Sequence, residues 1–162
     1  MSGTLQISLK INGESRVLHT AAHSSLLNLL RDNGYFDVKC GCEQGDCGAC
    51  TVLLDGIAVK SCVILAMNCD GHEVRTIKGL GGHDRLTSRL QKAFVEHGAI
   101  QCGFCTPGMI IAAGDYLRHD GRADREQIRR AMSGNLCRCT GYQKIIDAVY
   151  EVAAELESEV CG

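Results

Sequence analysis

The chain has no tryptophan, four tyrosines and three phenylalanines in 162 residues. Its packing must come mainly from Leu, Ile, Val, Ala and Met, which suits two compact halves better than one deep core. No lysine or arginine block occurs and the formal charge is -2. A nucleic-acid or anionic-membrane partner is excluded on that ground, because phosphate recognition needs clustered positive charge. No stretch approaches the roughly 18 apolar residues of a membrane span. The opening residues 1–10 lack a basic region followed by an apolar one, so a soluble, unexported, cytoplasmic protein is expected.

Nucleotide chemistry is missing too. There is no P-loop, and Gly79-Leu80-Gly81-Gly82 is too short and wrongly spaced for a dinucleotide fingerprint. Spacing assembles no acid-base pair either, so no catalytic residue is assigned and substrate chemistry is expected elsewhere.

Cysteine, in contrast, is abundant, with 11 in the chain. In a reducing compartment such thiols bind metal rather than form disulfides. Eight of them fall into two sets: Cys42, Cys47, Cys50 and Cys62, then Cys102, Cys105, Cys137 and Cys139. The first set opens as C-x4-C-x2-C with one cysteine downstream, the ligand spacing of a plant-type 2Fe-2S cluster. Gly41, Gly45 and Gly48 interleave with these ligands and allow main-chain amides to approach cluster sulfurs. Electron transfer is the leading functional reading. The second set, C-x2-C and C-x-C, suits a four-thiolate zinc site as well as a cluster by spacing alone. Rieske ligation is disfavoured, since only Cys69-x2-His72 brings a cysteine near a histidine. Cys40 and Cys69 compete with Cys42 and Cys62 but give poorer plant-type spacing, and Cys161 falls in an expected frayed tail.

Asn12-Gly13-Glu14 between Thr4–Ile11 and Ser15–Leu18 signals a hairpin, and Asp55-Gly56 signals another between residues 51–54 and 57–60. Ser24 or Ser25 caps a helix through Leu26, Leu27, Leu29 and Leu30 that stops near Gly34. The cysteine loop runs into the second hairpin, and Cys62 just beyond it can return beside the loop. A glycine-rich linker is expected at 79–84, between a domain at 1–78 and an all-α domain at 85–162. Four helices are predicted there, over 86–97, 107–119, 125–132 and 142 to about 157. Thr106 with Pro107, and Asp124 with Gln127, supply N-terminal signals. The second-set cysteines would sit at helix beginnings, where the positive dipole end favours thiolates. The apolar stripes Met109, Ile110, Ala113, Leu117 and Ile145, Ile146, Val149, Val152, Ala153, Leu156 read as bundle core.

Taken together, the stretches 41–52, 101–109 and 134–142 resemble the small iron-sulfur subunit of the xanthine oxidase family of molybdenum hydroxylases, in family order and over nearly the whole chain. The resemblance implies an α+β chain: a β-grasp ferredoxin-like domain with one 2Fe-2S cluster on Cys42, Cys47, Cys50 and Cys62, then a four-helix domain with a second on Cys102, Cys105, Cys137 and Cys139. It also implies that Gln101 and Cys139 lie against the molybdopterin of a large partner subunit, while the first cluster faces a medium, FAD-bearing subunit. A heterotrimer, or a dimer of heterotrimers, of the free-standing bacterial type is expected. Relatives hydroxylate purines, aldehydes or N-heterocycles, and others are carbon monoxide dehydrogenases or hydroxybenzoyl-CoA reductases. A free-standing ferredoxin-like carrier is the remaining alternative.

Overall fold

The computed structural model describes residues 4–119 and 121–161, without the side chains of 160 and 161. Cys161 therefore has no described side chain. Strand β1 (Thr4–Ile11) pairs antiparallel with β2 (Glu14–Ala21), in register from Thr4 with Ala21 to Ile11 with Glu14. Ile7, Leu9 and Ile11 alternate inward along β1, which is the pleat's period of two. Helix α1 (Leu26–Asp32) crosses the sheet and buries Leu26, Leu27, Leu29 and Leu30. Of the two serines considered, Ser25 is the cap, and its hydroxyl accepts the Asn28 N–H.

The second hairpin, β3 (Thr51–Leu54) and β4 (Ile57–Lys60), forms as expected. A strand absent from the sequence reading, β5 (Glu73–Arg75), joins the two hairpins into one sheet of order β2-β1-β5-β3-β4. It runs parallel to β1, Lys10 with Glu73 and Ile11 with Val74, and antiparallel to β3. Around it close Ile7, Leu9, Ile11, the α1 leucines, Val52 and Val74, the core of the first half.

Helix α2 (Ile77–Leu80) occupies the start of the stretch expected to be linker, and Asp84 at its end already caps α3 (Arg85–Glu96). The Asn12 side chain grips this passage, accepting Thr76 N–H at 2.8 Å and donating to Thr76 Oγ1 at 3.1 Å. Helices α4 (Thr106–His119), α5 (Arg125–Met132) and α6 (Gln143–Cys161) complete the second half. Helix α4 begins one residue earlier than predicted, at Thr106 itself. The two apolar stripes meet as read: Met109, Ile110 and Ala113 pack with Ile145, Val149 and Val152 around the fully buried Leu90, Phe94 and Ile128. Leu53, Leu80 and Ile111 form a small cluster between the halves, and Asp115 Oδ1 accepts Ala58 N–H at 3.1 Å.

Candidate metal centres

Residues 40–50 carry no helix or strand. The loop folds around its own sulfurs instead, and Cys42 Sγ accepts the main-chain N–H groups of Gln44 at 3.4 Å and Cys47 at 3.3 Å. Left-handed turns at Glu43, Gly45 and Gly48 (φ 57°, 84° and 66°) aim successive amides inward, an arrangement suited to holding an anion. A Cβ on Gly41 would stand 2.8 Å from Cys47 Sγ, so bare backbone is needed at that approach. The thiols of Cys42 and Cys47 interact directly, as do those of Cys50 and Cys62. Buried Ser61 fastens the second pair: its hydroxyl and its N–H both donate to Cys50 O, at 2.8 and 3.4 Å.

In the helical half, Cys102 and Cys105 lead into α4, while Cys137 and Cys139 lie in the connection from α5 to α6. Only the first of these stations is a helix beginning. Left-handed Gly141 and Tyr142 (φ 65° and 68°) keep the chain out of helix until Gln143, which holds Cys137 and Cys139 in loop ahead of α6. Cys139 Sγ and Cys102 Sγ are 3.5 Å apart, and Cys105 and Cys137 form the other close pair. These thiols line a cavity of about 370 Å³ with Phe104, Leu136 and Tyr142. Cys102 and Cys139 are exposed on its rim, and Gln101 is exposed beside them.

Electrostatics differ from thiol to thiol. The Cys47 and Gln44 amides pull Cys42 down to about 6, because an N–H donor stabilises thiolate. Burial pushes Cys62 up to about 11 and Cys105 up to about 12. Burial opposes ionisation of Cys137 as well, but the Thr140 hydroxyl and main-chain donors outweigh it and hold that thiol below its ordinary value. The Phe104 amide lowers Cys102, whereas its hydrogen bond with Cys102 raises Cys139. In the helical half each close pair thus joins one thiol held below its ordinary value to one held above it, and a bound cation would displace the protons of both.

The two stations touch. Leu136 N–H donates to Cys47 O at 2.9 Å, and buried Asn135 donates from Nδ2 to Gly48 O at 2.9 Å. A Cβ on Gly48 would meet Gly134 O at 2.5 Å and Asn135 Nδ2 at 2.6 Å, so the loops meet backbone to backbone. Asn135, Thr140 and Tyr142 were not singled out as site residues in the sequence. Their place inside the stretch 134–142, just before and just after Cys137 and Cys139, was the available signal.

The remaining cysteines sit apart. Cys69 is fully buried in the first-half core, with burial raising its thiol. Cys40 is turned to Glu43, 3.3 Å from Oε1, whose hydrogen bond raises it.

The thiols stand in pairs, Cys102 with Cys139, Cys105 with Cys137, Cys42 with Cys47 and Cys50 with Cys62, and within each set the pairs also feel one another's charge. Each iron of a binuclear cluster would take two thiolates. Paired thiols, inward amides and glycine at the closest approach fit two 2Fe-2S clusters.

Comparison with known proteins agrees. Residues 9–74 match the 2Fe-2S iron-sulfur cluster binding domain family and residues 76–150 the [2Fe-2S] binding domain family. The xanthine dehydrogenase iron-sulfur-binding subunit of Escherichia coli O157:H7 is 45% identical, over 93% of this chain and 95% of that subunit. The nicotine 6-hydroxylase small subunit of Paenarthrobacter nicotinovorans is 43% identical, over 96% and 93%. Quinoline 2-oxidoreductase from Pseudomonas putida 86 contains a chain that superposes with a TM-score of 0.88 at 42% identity, covering 96% of this chain and 97% of that one. The chain belongs to the small iron-sulfur subunits of the molybdenum hydroxylase family, the electron-transfer components of heteromeric oxidoreductases.

Proposed function

We propose that Cys42, Cys47, Cys50 and Cys62 hold one 2Fe-2S cluster in a ferredoxin-like domain spanning 1–78, and that Cys102, Cys105, Cys137 and Cys139 hold the second in a helical domain spanning 85–162. The pairing of the thiols is the observation that carries this reading. Such clusters, when bound, take up and release electrons one at a time. The protein's own groups do the rest. The 40–50 loop offers main-chain donors to sulfur, Ser61 locks the Cys62 turn onto Cys50, and the Leu136 amide fastens the second ligand loop to the Cys47 carbonyl.

Gln101 and Cys139, exposed at one rim, are assigned to face the molybdopterin of a large partner subunit. The other end, near Val63 and Leu65, both exposed beside the Cys62 turn, faces a FAD-bearing partner. Electrons then enter at the helical half and leave through the ferredoxin-like half, within a cytoplasmic heterotrimer or a dimer of heterotrimers. No described helix is long and apolar enough to cross a membrane. The partner oxidises a purine, an aldehyde or an N-heterocycle; the relatives' names, xanthine dehydrogenase, nicotine 6-hydroxylase and quinoline 2-oxidoreductase, point to the purine and N-heterocycle members of that class.

The test is elemental analysis of the purified native complex. About four irons and four acid-labile sulfides per copy of this chain are expected, as two binuclear clusters require. Zinc in place of iron would remove the assignment, and elution of this chain alone in gel filtration would favour a free carrier.

A further inference from the structure

We propose that the Thr140 hydroxyl sets the reduction potential of the helical-half cluster by donating a hydrogen bond to Cys137 Sγ, with Tyr142 as the positioning residue that aims it. The proposal rests on the reading of Cys137 as a cluster ligand.

Thr140 Oγ1 lies 3.1 Å from Cys137 Sγ. A metal-bound thiolate carries no proton, so the hydroxyl is the donor of that pair. Its acceptor side is already engaged, because Tyr142 N–H donates to the same Oγ1 at 3.3 Å. The hydroxyl hydrogen is thereby left for sulfur.

Tyr142 reaches this position at a conformational cost. Its φ of 68° is in the left-handed region, which a residue with a side chain adopts only at a cost in strain. Two bonds offset it. The main-chain N–H holds Thr140, and the phenol oxygen accepts Cys137 N–H at 2.8 Å. Cys137 is thus held from both sides, its amide by Tyr142 and its sulfur by Thr140.

No other of the eight thiols is treated this way among the described residues. Cys42 is served by the main-chain amides of Gln44 and Cys47, which no substitution at those positions short of proline removes. Among the described residues Thr140 is the one side-chain hydroxyl in hydrogen-bond contact with a proposed ligand sulfur. Reduction adds negative charge to a cluster and its thiolates, and an O–H donor stabilises the more negative state more strongly, so the bond raises the potential. Its influence is confined to one centre, and it therefore changes the difference in potential between the two halves, the quantity that drives electrons from one to the other.

The experiment is a potentiometric titration of the intact complex followed by EPR, with Thr140→Val, Thr140→Ala and Thr140→Ser. Both hydroxyl-free variants are expected to lower the midpoint of the helical-half signal and leave the other in place, and serine to stay close to the native value. An unchanged helical-half midpoint in iron-replete valine or alanine variants overturns the proposal, as does an equal shift of both signals. Loss of the cluster in both hydroxyl-free variants would make Thr140 a structural loop residue and overturn it too. Failure of the underlying ligand reading looks different: the unsubstituted complex would then show one signal and half the iron.

Discussion

Gly48 shows how closely single residues are constrained where the ligand loops meet. Its φ of 66° and the contacts an added Cβ would make with Gly134 O and Asn135 leave no room for alanine. Gly48→Ala is expected to destabilise the protein by about 2 kcal/mol or more, from left-handed strain and overpacking together; an unchanged melting temperature by circular dichroism would show that the loops can part without cost. The glycines between the cysteines were legible in the sequence as loop formers. Gly48's contact with residues 134 and 135 was not, because spacing along a chain carries no information about a neighbour 87 positions away. The same limit hid Thr140: a threonine after C-x-C reads as filler until the turn at Tyr142 brings its hydroxyl back to sulfur.

At the scale of elements, local signals did well and long-range pairing poorly. Asn12-Gly13 and Asp55-Gly56 place both hairpins, and the leucine spacing places α1, because each depends on residues near one another in sequence. Strand β5 is Glu-Val-Arg, too short to alternate, and exists only because β1 and β3 lie on either side of it. The linker expected at 79–84 is partly helical for a related reason, as the Asn12 side chain fixes Thr76 at the entry to α2.

The helices carry an ionic pattern. Asp147, Glu151, Glu155 and Glu159 recur every four residues along α6 and meet Arg125 of α5, Arg89 of α3 and His97 at the α3 C-terminus. At the start of α3, burial opposes ionisation of Asp84, but the Thr87 N–H and hydroxyl and the Arg118 guanidinium hold its carboxyl below the ordinary range. A carboxyl depressed by folding stabilises fully above its unfolded value of about 3.9 and loses that contribution as pH falls through the lower folded value. Asp84→Ala is expected to cost about 1 kcal/mol at neutral pH through the lost cap. The difference in melting temperature from the native protein should narrow as pH falls below the unfolded value of about 3.9 and the native carboxylate itself takes up a proton. A difference that stays constant with pH would show that the charge contributes nothing.

Across the whole molecule, the halves are joined by a polar seam as well as by Leu53, Leu80 and Ile111. Asn135, 5% exposed, donates to Gly48 O at 2.9 Å and to Thr51 Oγ1 at 3.4 Å. Asn135→Ala should cost about 0.5–1.5 kcal/mol, the net worth of a hydrogen bond, because the Thr51 N–H and hydroxyl still donate to Gly48 O. It should also slow electron exchange between the two centres in rapid-mixing experiments, since the Leu136 amide to Cys47 carbonyl bond sits beside it. A variant with native exchange rates would place the electronic coupling elsewhere. The two sets of cysteines and their order are legible in the sequence; that their loops stand back to back, joined through Cys47 O and Gly48 O, is a property of the fold alone.

Two sets of four thiols are proposed to hold two separate clusters, one in each half. Low-temperature EPR of the reduced complex, native against Cys139→Ser, tests this most directly. Two distinct signals are expected from the native protein, with the helical-half signal altered or lost in the variant and the ferredoxin-like signal intact. Loss of both signals together, or survival of both unchanged, would contradict the account.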